Sequence, residues 1–255
     1  MRRPELFAAQ VGYMNKAFWR NPASAFFTFA FPLMFLVIFT ALLGSFKVHL
    51  IGRTISSATY YVAAMAAFSV ISACYTNIAM YVTFQRDLGV LKRTRGTPLP
   101  SGFYLGAKVV HSLLIAVVLV VITAAFGRIF YQPDIPTGLS LLRFLIVLAV
   151  GAASFSALGL AITGVVPNAD AAPAVINATI LPLLFLSGIF IPLGKSAPAW
   201  IHWIARVFPV QHFASGMQAG FLETSFDWID VVIVAAWGAA GLLFALRKFS
   251  WEPRV

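Results

Sequence analysis

Long uncharged runs alternate with short charged segments along the chain. Between Arg20 and Lys47 lie 26 uncharged residues, between Arg53 and Arg86 lie 32, and between Lys108 and Arg128 lie 19. Later runs hold 26 (Arg143 to Asp170), 24 (Asp170 to Lys195) and 16 (Asp230 to Arg247). A helix crossing hydrocarbon needs about 20 mostly apolar residues, and a charge at its centre costs roughly 2.5–3.5 kcal/mol on insertion scales. The runs therefore predict six spans, near 25–45, 59–83, 108–130, 143–166, 172–193 and 229–247. The last run alone gives about 24 Å of helix; it reaches span length if Trp228 and Ile229 join it and Asp230 sits among head groups. The first apolar run starts near Ala23 and is longer than the roughly 7–15-residue core of a cleaved leader.

Shorter patterns lie between the spans. Phe7, Val11, Met14 and Phe18 recur at helical spacing, with Glu5, Asn15, Lys16 and Arg20 largely off that stripe. This predicts an amphipathic helix over 4–20 in the inner head-group layer, either an elbow that passes force to the first span or a plain anchor. After span 2, Phe84, Leu88 and Leu91 form a short apolar stripe, while Arg86, Asp87, Lys92, Arg93 and Arg95 point elsewhere. Gly89 permits close backbone approach, and Gly96, Pro98 and Pro100 end the helix. Segment 84–100 is thus either a docking surface for a soluble partner or an ordinary basic inner loop. After span 5, Trp200, Trp203, Ile204 and Val207 form an amphipathic stretch ending at Phe208-Pro209, and Phe213 and Met217 continue its apolar side. Two short re-entrant helices in the outer leaflet fit, serving as an outer gate (Trp200, Trp203, Phe208, Phe213) or as an aromatic anchor.

Composition agrees with a membrane fold. The 255 residues are 60% hydrophobic and 10% charged, against about 25% charged in soluble domains. The one cysteine, Cys74, excludes an intrachain disulfide. The net charge of +10 comes from cations that flank spans, which argues against a nucleic-acid partner. With the termini inside, the inner segments hold Arg2, Arg3, Lys16, Arg20, Arg86, Lys92, Arg93, Arg95, Lys108, Arg247, Lys248 and Arg254; the outer ones hold Lys47, Arg53, Arg128, Arg143, Lys195 and Arg206. The excess of inner cations puts both termini in the cytoplasm. The whole of 1–255 reads as one all-α polytopic membrane domain, since the longest segment outside the spans, Gly194 to Trp228, is too small for its own core.

Candidate chemistry is sparse. Gly194-Lys195-Ser196 ends like a phosphate-binding loop, but the required earlier glycine position is Ile189, and the segment leaves an apolar span rather than a strand. His202 and His212 lack a carboxylate at ligand spacing, so no metal is expected, and no nucleophile–base or paired-carboxylate set stands out. Span 2 carries Met65, Ser69, Thr76 and Asn77, and span 5 carries Asn177, Thr179 and Ser187. Such polar groups face a bundle interior, bonding other helices or lining a path. No Asp, Glu, Lys or Arg lies near mid-depth, so uphill transport would draw its energy from outside the chain.

The segment "FQRDLGVLKRTRGTPLP" resembles the loop after span 2 in permeases of the ABC-2 family. It matches at Arg86, Gly89, Leu91, Lys92, Arg93, Thr97, Pro98, Leu99 and Pro100, and departs at Gln85, Asp87 and Val90. The stretch "FLSGIFIPLGKSAPAWIHWIARVFPVQHFASGMQAGF" is similar to the drug-exporter branch. The resemblance implies a half-transporter that works as a homo- or heterodimer in a plasma membrane, bacterial by its branch. It implies a separate ABC ATPase subunit, two copies in all, carrying the ATP and Mg; this chain would bind no cofactor and be no enzyme. Docking would fall on Arg86, Asp87, Leu88, Gly89, Leu91, Lys92, Arg93, Thr97 and Pro98, with Asn168 and Asp170 as a second cytoplasmic contact. The expected activity is export of hydrophobic or amphipathic drugs or lipid-like molecules; a permease for lipid-linked polysaccharide, a passive channel and a secondary transporter remain alternatives.

Overall fold

The computed structural model describes residues 3–43, 47–50, 53–97, 99–131, 136–192, 198–222 and 226–252. Pro98 and the Gly194-Lys195-Ser196 stretch lie outside the described residues. In order, the helices are α1 (Arg3–Trp19), α2 (Pro22–Leu43), α3 (Ser57–Ile71), α4 (Asn77–Asp87), α5 (Val90–Arg95), α6 (Ser101–Tyr131), α7 (Gly138–Ile162), α8 (Ala172–Leu186), α9 (Ala199–Val207), α10 (Pro209–Leu222) and α11 (Trp228–Lys248). Between α2 and α3 the chain forms an antiparallel hairpin, β1 (Lys47–Leu50) with β2 (Arg53–Ser56), in which Lys47 faces Ser56 and Leu50 faces Arg53. The sequence reading treats that stretch as plain connection; two four-residue strands are too short to leave a hydropathy signature.

Among the described residues, five helices are long and apolar enough to cross a bilayer: α2, the continuous rod Ser57–Asp87, α6, α7 and α11. The fifth expected span, 172–193, is shorter as a helix than predicted. α8 ends at Leu186, about 22 Å from its start. Gly188 then turns the chain at φ 80°, a conformation open to glycine without penalty. Ile189 and Phe190 fold back into the core, Phe190 against Phe35, Phe39, Phe68 and Phe185. The apolar run of the sequence is thus divided between helix α8 and a turn that packs into the core.

The rod Ser57–Asp87 is the axis of the bundle. Every residue of α3 is buried, and α2, α6, α7 and α10 surround it. One turn of π-helix, Ser72–Thr76, interrupts the rod, with the Asn77 N–H donating to Ser72 O. Such turns are rare and recur at functional sites. Small residues let the other helices close in, as expected where helix association depends on van der Waals contact. A Cβ on Gly238 of α11 would lie 2.7 Å from Ser154 Cα of α7, and one on Gly241 would lie 2.8 Å from Leu158 Cδ2. The stripe Phe7, Val11, Met14 and Phe18 of α1 faces inward, with Phe7 meeting Phe103 and Phe18 meeting His111 on α6 edge-on, while Tyr13 and Trp19 point out.

α10 differs from the expected outer anchor. Val210, Phe213, Ala214, Met217 and Phe221 are all buried between α3, α7 and α11. Gly151, Gly216 and Gly220 make room, with Phe213 seated against Gly151 and Phe155. Phe213 is therefore a core residue and not part of an outer gate. Its apolar periodicity reads the same for a buried helix as for an interfacial one.

Candidate coupling site and inner cleft

The C-terminal end of the rod carries the first site. α4 runs to Asp87, so Arg86 and Asp87 close a helix instead of opening a loop. Leu88 and Gly89 turn the chain, Gly89 at φ 69°, and α5 follows with the Arg93 N–H donating to Gly89 O at 3.1 Å. Leu91 is fully buried with Met14, Ile78, Val82, Tyr104 and Leu160, which pins α5 to the bundle. Phe84 and Leu88 are exposed, Leu88 by 65%. The expected stripe Phe84–Leu88–Leu91 is therefore split, because the left-handed turn at Gly89 changes the helix axis between Leu88 and Leu91.

Arg86 corrects the sequence reading more strongly. It is 1% exposed rather than pointing to solvent. Its guanidinium donates to Thr163 O (2.9 Å), Val166 O (2.9 Å) and Pro167 O (3.0 Å), and Nε donates to Asp87 Oδ1 (3.2 Å). Thr163 is the C-cap of α7, where the helix dipole also favours a cation, and Val166 and Pro167 belong to the turn that leads on to α8. Asp87 Oδ2 accepts from the Ala169 N–H at 2.5 Å. Asn168 Oδ1 accepts from the Ala171 N–H at 2.8 Å at the entry to α8, while Asp170 is exposed. Asn168, not Asp170, thus satisfies a donor at that helix start. The segments around Arg86 and Asn168, read separately in the sequence, form one hydrogen-bonded junction where α4, α7 and α8 meet. On its surface lie Leu88, Lys92, Arg93, Arg95 and Thr97. Arg93 donates to Leu88 O at 3.1 Å, and Lys92 pairs loosely with exposed Glu252 at 3.9 Å.

The second site is a cleft of about 650 Å³ enclosed by α1, α2, the π turn with α4, and α6. Thr76 and Asn77 line it; Met65 and Ser69 do not, being fully buried in α3, where Ser69 Oγ donates to its own helix at Met65 O. Ser187 is likewise enclosed, donating to Leu184 O, and Thr179 bonds Tyr75 at 2.7 Å. Asn177, half-buried on α8, is absent from the cleft lining. The polar set therefore divides, with only Thr76 and Asn77 facing this cavity. Lys108 joins them. The sequence assigns it to an inner segment, yet α6 begins at Ser101, so Lys108 sits about 10 Å into the helix. Lys108 Nζ donates to Asn77 Oδ1 at 2.9 Å and lies 4.0 Å from the Tyr81 ring centroid.

On the other side of the bundle, Trp200 and Trp203 of α9 are exposed. Phe208 stacks on Trp237, whose indole donates to Val207 O at 2.9 Å. His212 Nδ1 lies 2.6 Å from Asp230 Oδ1, and its Nε2 lies 2.8 Å from Arg206 O. This pair eluded sequence reading because its members are 18 positions apart on different helices. It ties α10 to α11. Asp230→Asn is expected to cost about 1–2 kcal/mol, the share of a charge-assisted hydrogen bond, read as a lower unfolding midpoint in detergent; an unchanged midpoint would make the pair incidental.

An all-helical bundle with long apolar helices, an amphipathic N-terminal helix and a basic junction at one end has the build of a polytopic membrane protein. Residues 5–222 match the ABC-2 type transporter family, and the chain belongs to that family. It is 27% identical over 237 residues to "Putative transport permease ycf38" of Porphyra purpurea, covering 91% of this chain and 79% of that protein. It is 26% identical over 178 residues to "Putative transport permease YvfS" of Bacillus subtilis (strain 168), covering 70% and 71% respectively.

Proposed function

We propose that the chain is the permease half of an ATP-driven exporter, paired with a second permease protomer in a plasma membrane and driven by two copies of a separate ABC ATPase subunit. The chain itself carries no ATP chemistry in this reading. With α8 counted as a sixth crossing, both termini and the α4–α5 junction fall on the cytoplasmic side, where an ATPase works. The cargo is amphipathic or lipid-like; the open cleft beside the inner half of the bundle suits such molecules better than a hydrated polysaccharide.

The observation that carries the reading is the junction itself. Leu88 offers an exposed apolar contact beside the cations Lys92 and Arg93, and the whole sits on a base fixed by Arg86 and Asp87 to spans 2, 4 and 5. A push on the surface would reach three spans at once. The test alters the exposed residues alone: Lys92→Glu and Arg93→Glu reverse two charges, and Leu88→Glu replaces the apolar contact with a carboxylate. Co-purification of the nucleotide-binding subunit is expected to be lost, along with vanadate-sensitive export, while membrane insertion and thermal stability stay unchanged. Retained co-purification, or export indifferent to ATP, would overturn the proposal in favour of a channel or secondary transporter.

A further inference from the structure

We infer that the cleft between α1, α2, α4 and α6 is a binding site for the anionic head group of an amphiphile entering sideways from the inner leaflet, with Lys108 as its counter-charge. The inference narrows the cargo class of the export reading and rests on that reading only for its transport consequence.

Lys108 is 4% exposed and lies inside a membrane-spanning helix. A buried ammonium is costly unless it is paired, and it carries three donors. Among the described residues it meets one oxygen, Asn77 Oδ1, and one ring face, Tyr81; no carboxylate forms a salt bridge with it. Its neighbour three residues on, His111, is 3% exposed and lines the same cleft, and its Nδ1 has no hydrogen-bond partner among the described residues. Two nitrogen groups with unspent hydrogen-bonding capacity thus border one cavity. An acidic oxygen cluster placed there would find a positive charge in a low-dielectric setting, where such a pairing is strong.

The rest of the cleft fits the body of such a molecule. Phe27, Phe31 and Phe84 are exposed along its opening, so it is apolar toward the lipid side. Pro32 of α2 also lines it, and a proline inside a helix removes a backbone hydrogen bond and permits a bend. A volume near 650 Å³ lies within the range of small-molecule sites, about 300–1,000 Å³. A tail can remain in the bilayer while the head reaches Lys108. A neutral amphiphile would fill the same space and leave the ammonium without its charge partner.

The experiment uses the full chain in neutral maltoside detergent with three probes: dodecyl phosphate, dodecylphosphocholine and inorganic phosphate. Dodecyl phosphate is expected to raise the unfolding midpoint saturably, and the other two are not, since one has its charge internally balanced and the other lacks a tail. Lys108→Met is expected to weaken dodecyl phosphate binding about ten- to a hundredfold, the weight of one charge-assisted hydrogen bond; Lys108→Arg should retain most of it. To locate the site independently of midpoints, bimane on Ser24→Cys at the cleft mouth should be quenched by brominated dodecyl phosphate; Cys74, fully buried, stays unlabelled. Phosphatidylglycerol against phosphatidylcholine then separates the sources: glycerolipid selectivity lost in Lys108→Met marks a membrane lipid, and its absence beside dodecyl phosphate binding marks a free amphiphile. Equal stabilisation by dodecylphosphocholine, undiminished selectivity in Lys108→Met, or a bimane signal quenched only by a second copy of the chain would each overturn the inference. None of these measurements involves the ATPase, so they stand or fall separately from docking.

Discussion

Replacing Arg86 by Met is expected to lower the stability of the folded bundle by about 3–5 kcal/mol, the cost of removing one partner from a buried charged network. Met keeps the length of the side chain but brings no donor. The carbonyls of Thr163, Val166 and Pro167 would lose a guanidinium that now satisfies all three at 2.9–3.0 Å. Each buried acceptor so abandoned carries a desolvation penalty of about 1–3 kcal/mol. Asp87 would lose its cation and would hold Ala169 with an uncompensated carboxylate. Arg86→Lys should recover less than half of the loss, because a point ammonium cannot reach three carbonyls with the planar fork of arginine. The measurement is the unfolding midpoint in detergent, with limited proteolysis across 163–171 as a local readout. Wild-type stability in Arg86→Met would show that water satisfies those carbonyls and that the junction is not a rigid base. The contrast with the exposed cations matters: reversing Lys92 and Arg93 should leave stability intact and remove only the proposed ATPase docking, whereas altering Arg86 should lower stability as well. A charge reversal that included Arg86 would confound the two effects.

The difference between Arg86 and its neighbours marks the boundary of what the sequence discloses. Charge spacing anticipated the five long apolar helices, because lipid solvation would act on each segment independently, and overestimated the helix at 172–193. It located Arg86 wrongly because the same insertion logic places every cation near an inner span end in water. What buries Arg86 is a partner 77–81 positions downstream, the main-chain carbonyls of the turn that leaves α7. A helix C-terminus is recognisable in a sequence, but which side chain reaches it is a tertiary fact. Lys108 repeats the lesson, since the neighbour that holds it, Asn77, lies on the other side of segment 84–100. Phe213 shows a third limit: an apolar stripe looks alike whether lipid or Gly151 covers it. By contrast, the exposure of Lys92 and Arg93 was legible, because they belong to a short segment that the Gly89 turn presents locally, whereas that same turn separates Leu88 from Leu91.

Gly159→Val is the second substitution with a large expected effect, and it tests the π turn. Any Cβ at position 159 would lie 2.8 Å from Tyr75 O and 2.9 Å from Cys74 O, distances at which something must move. The obstacle is main chain, so no rotamer change can relieve it. Overpacking of this kind costs about 1–3 kcal/mol, and the branched side chain of Val places the effect at the upper end. Gly12→Ala is the control. It lies in α1 with nothing near an added Cβ, and removing glycine from a helix interior should be neutral or gain up to about 1 kcal/mol. The consequence extends past stability, because Ser72, Ala73, Thr76 and Asn77 at the turn line the cleft that faces Lys108. Forcing α7 away from the rod, or the rod toward α2, would move Asn77 relative to Lys108 and weaken dodecyl phosphate binding without touching either residue. Lower stability with unaltered binding would make the π turn a packing device alone. A Gly159→Val chain as stable as wild type would mean that α7 and the rod do not meet at their backbones here, and the close-packed picture of spans 2 and 4 would fail with it.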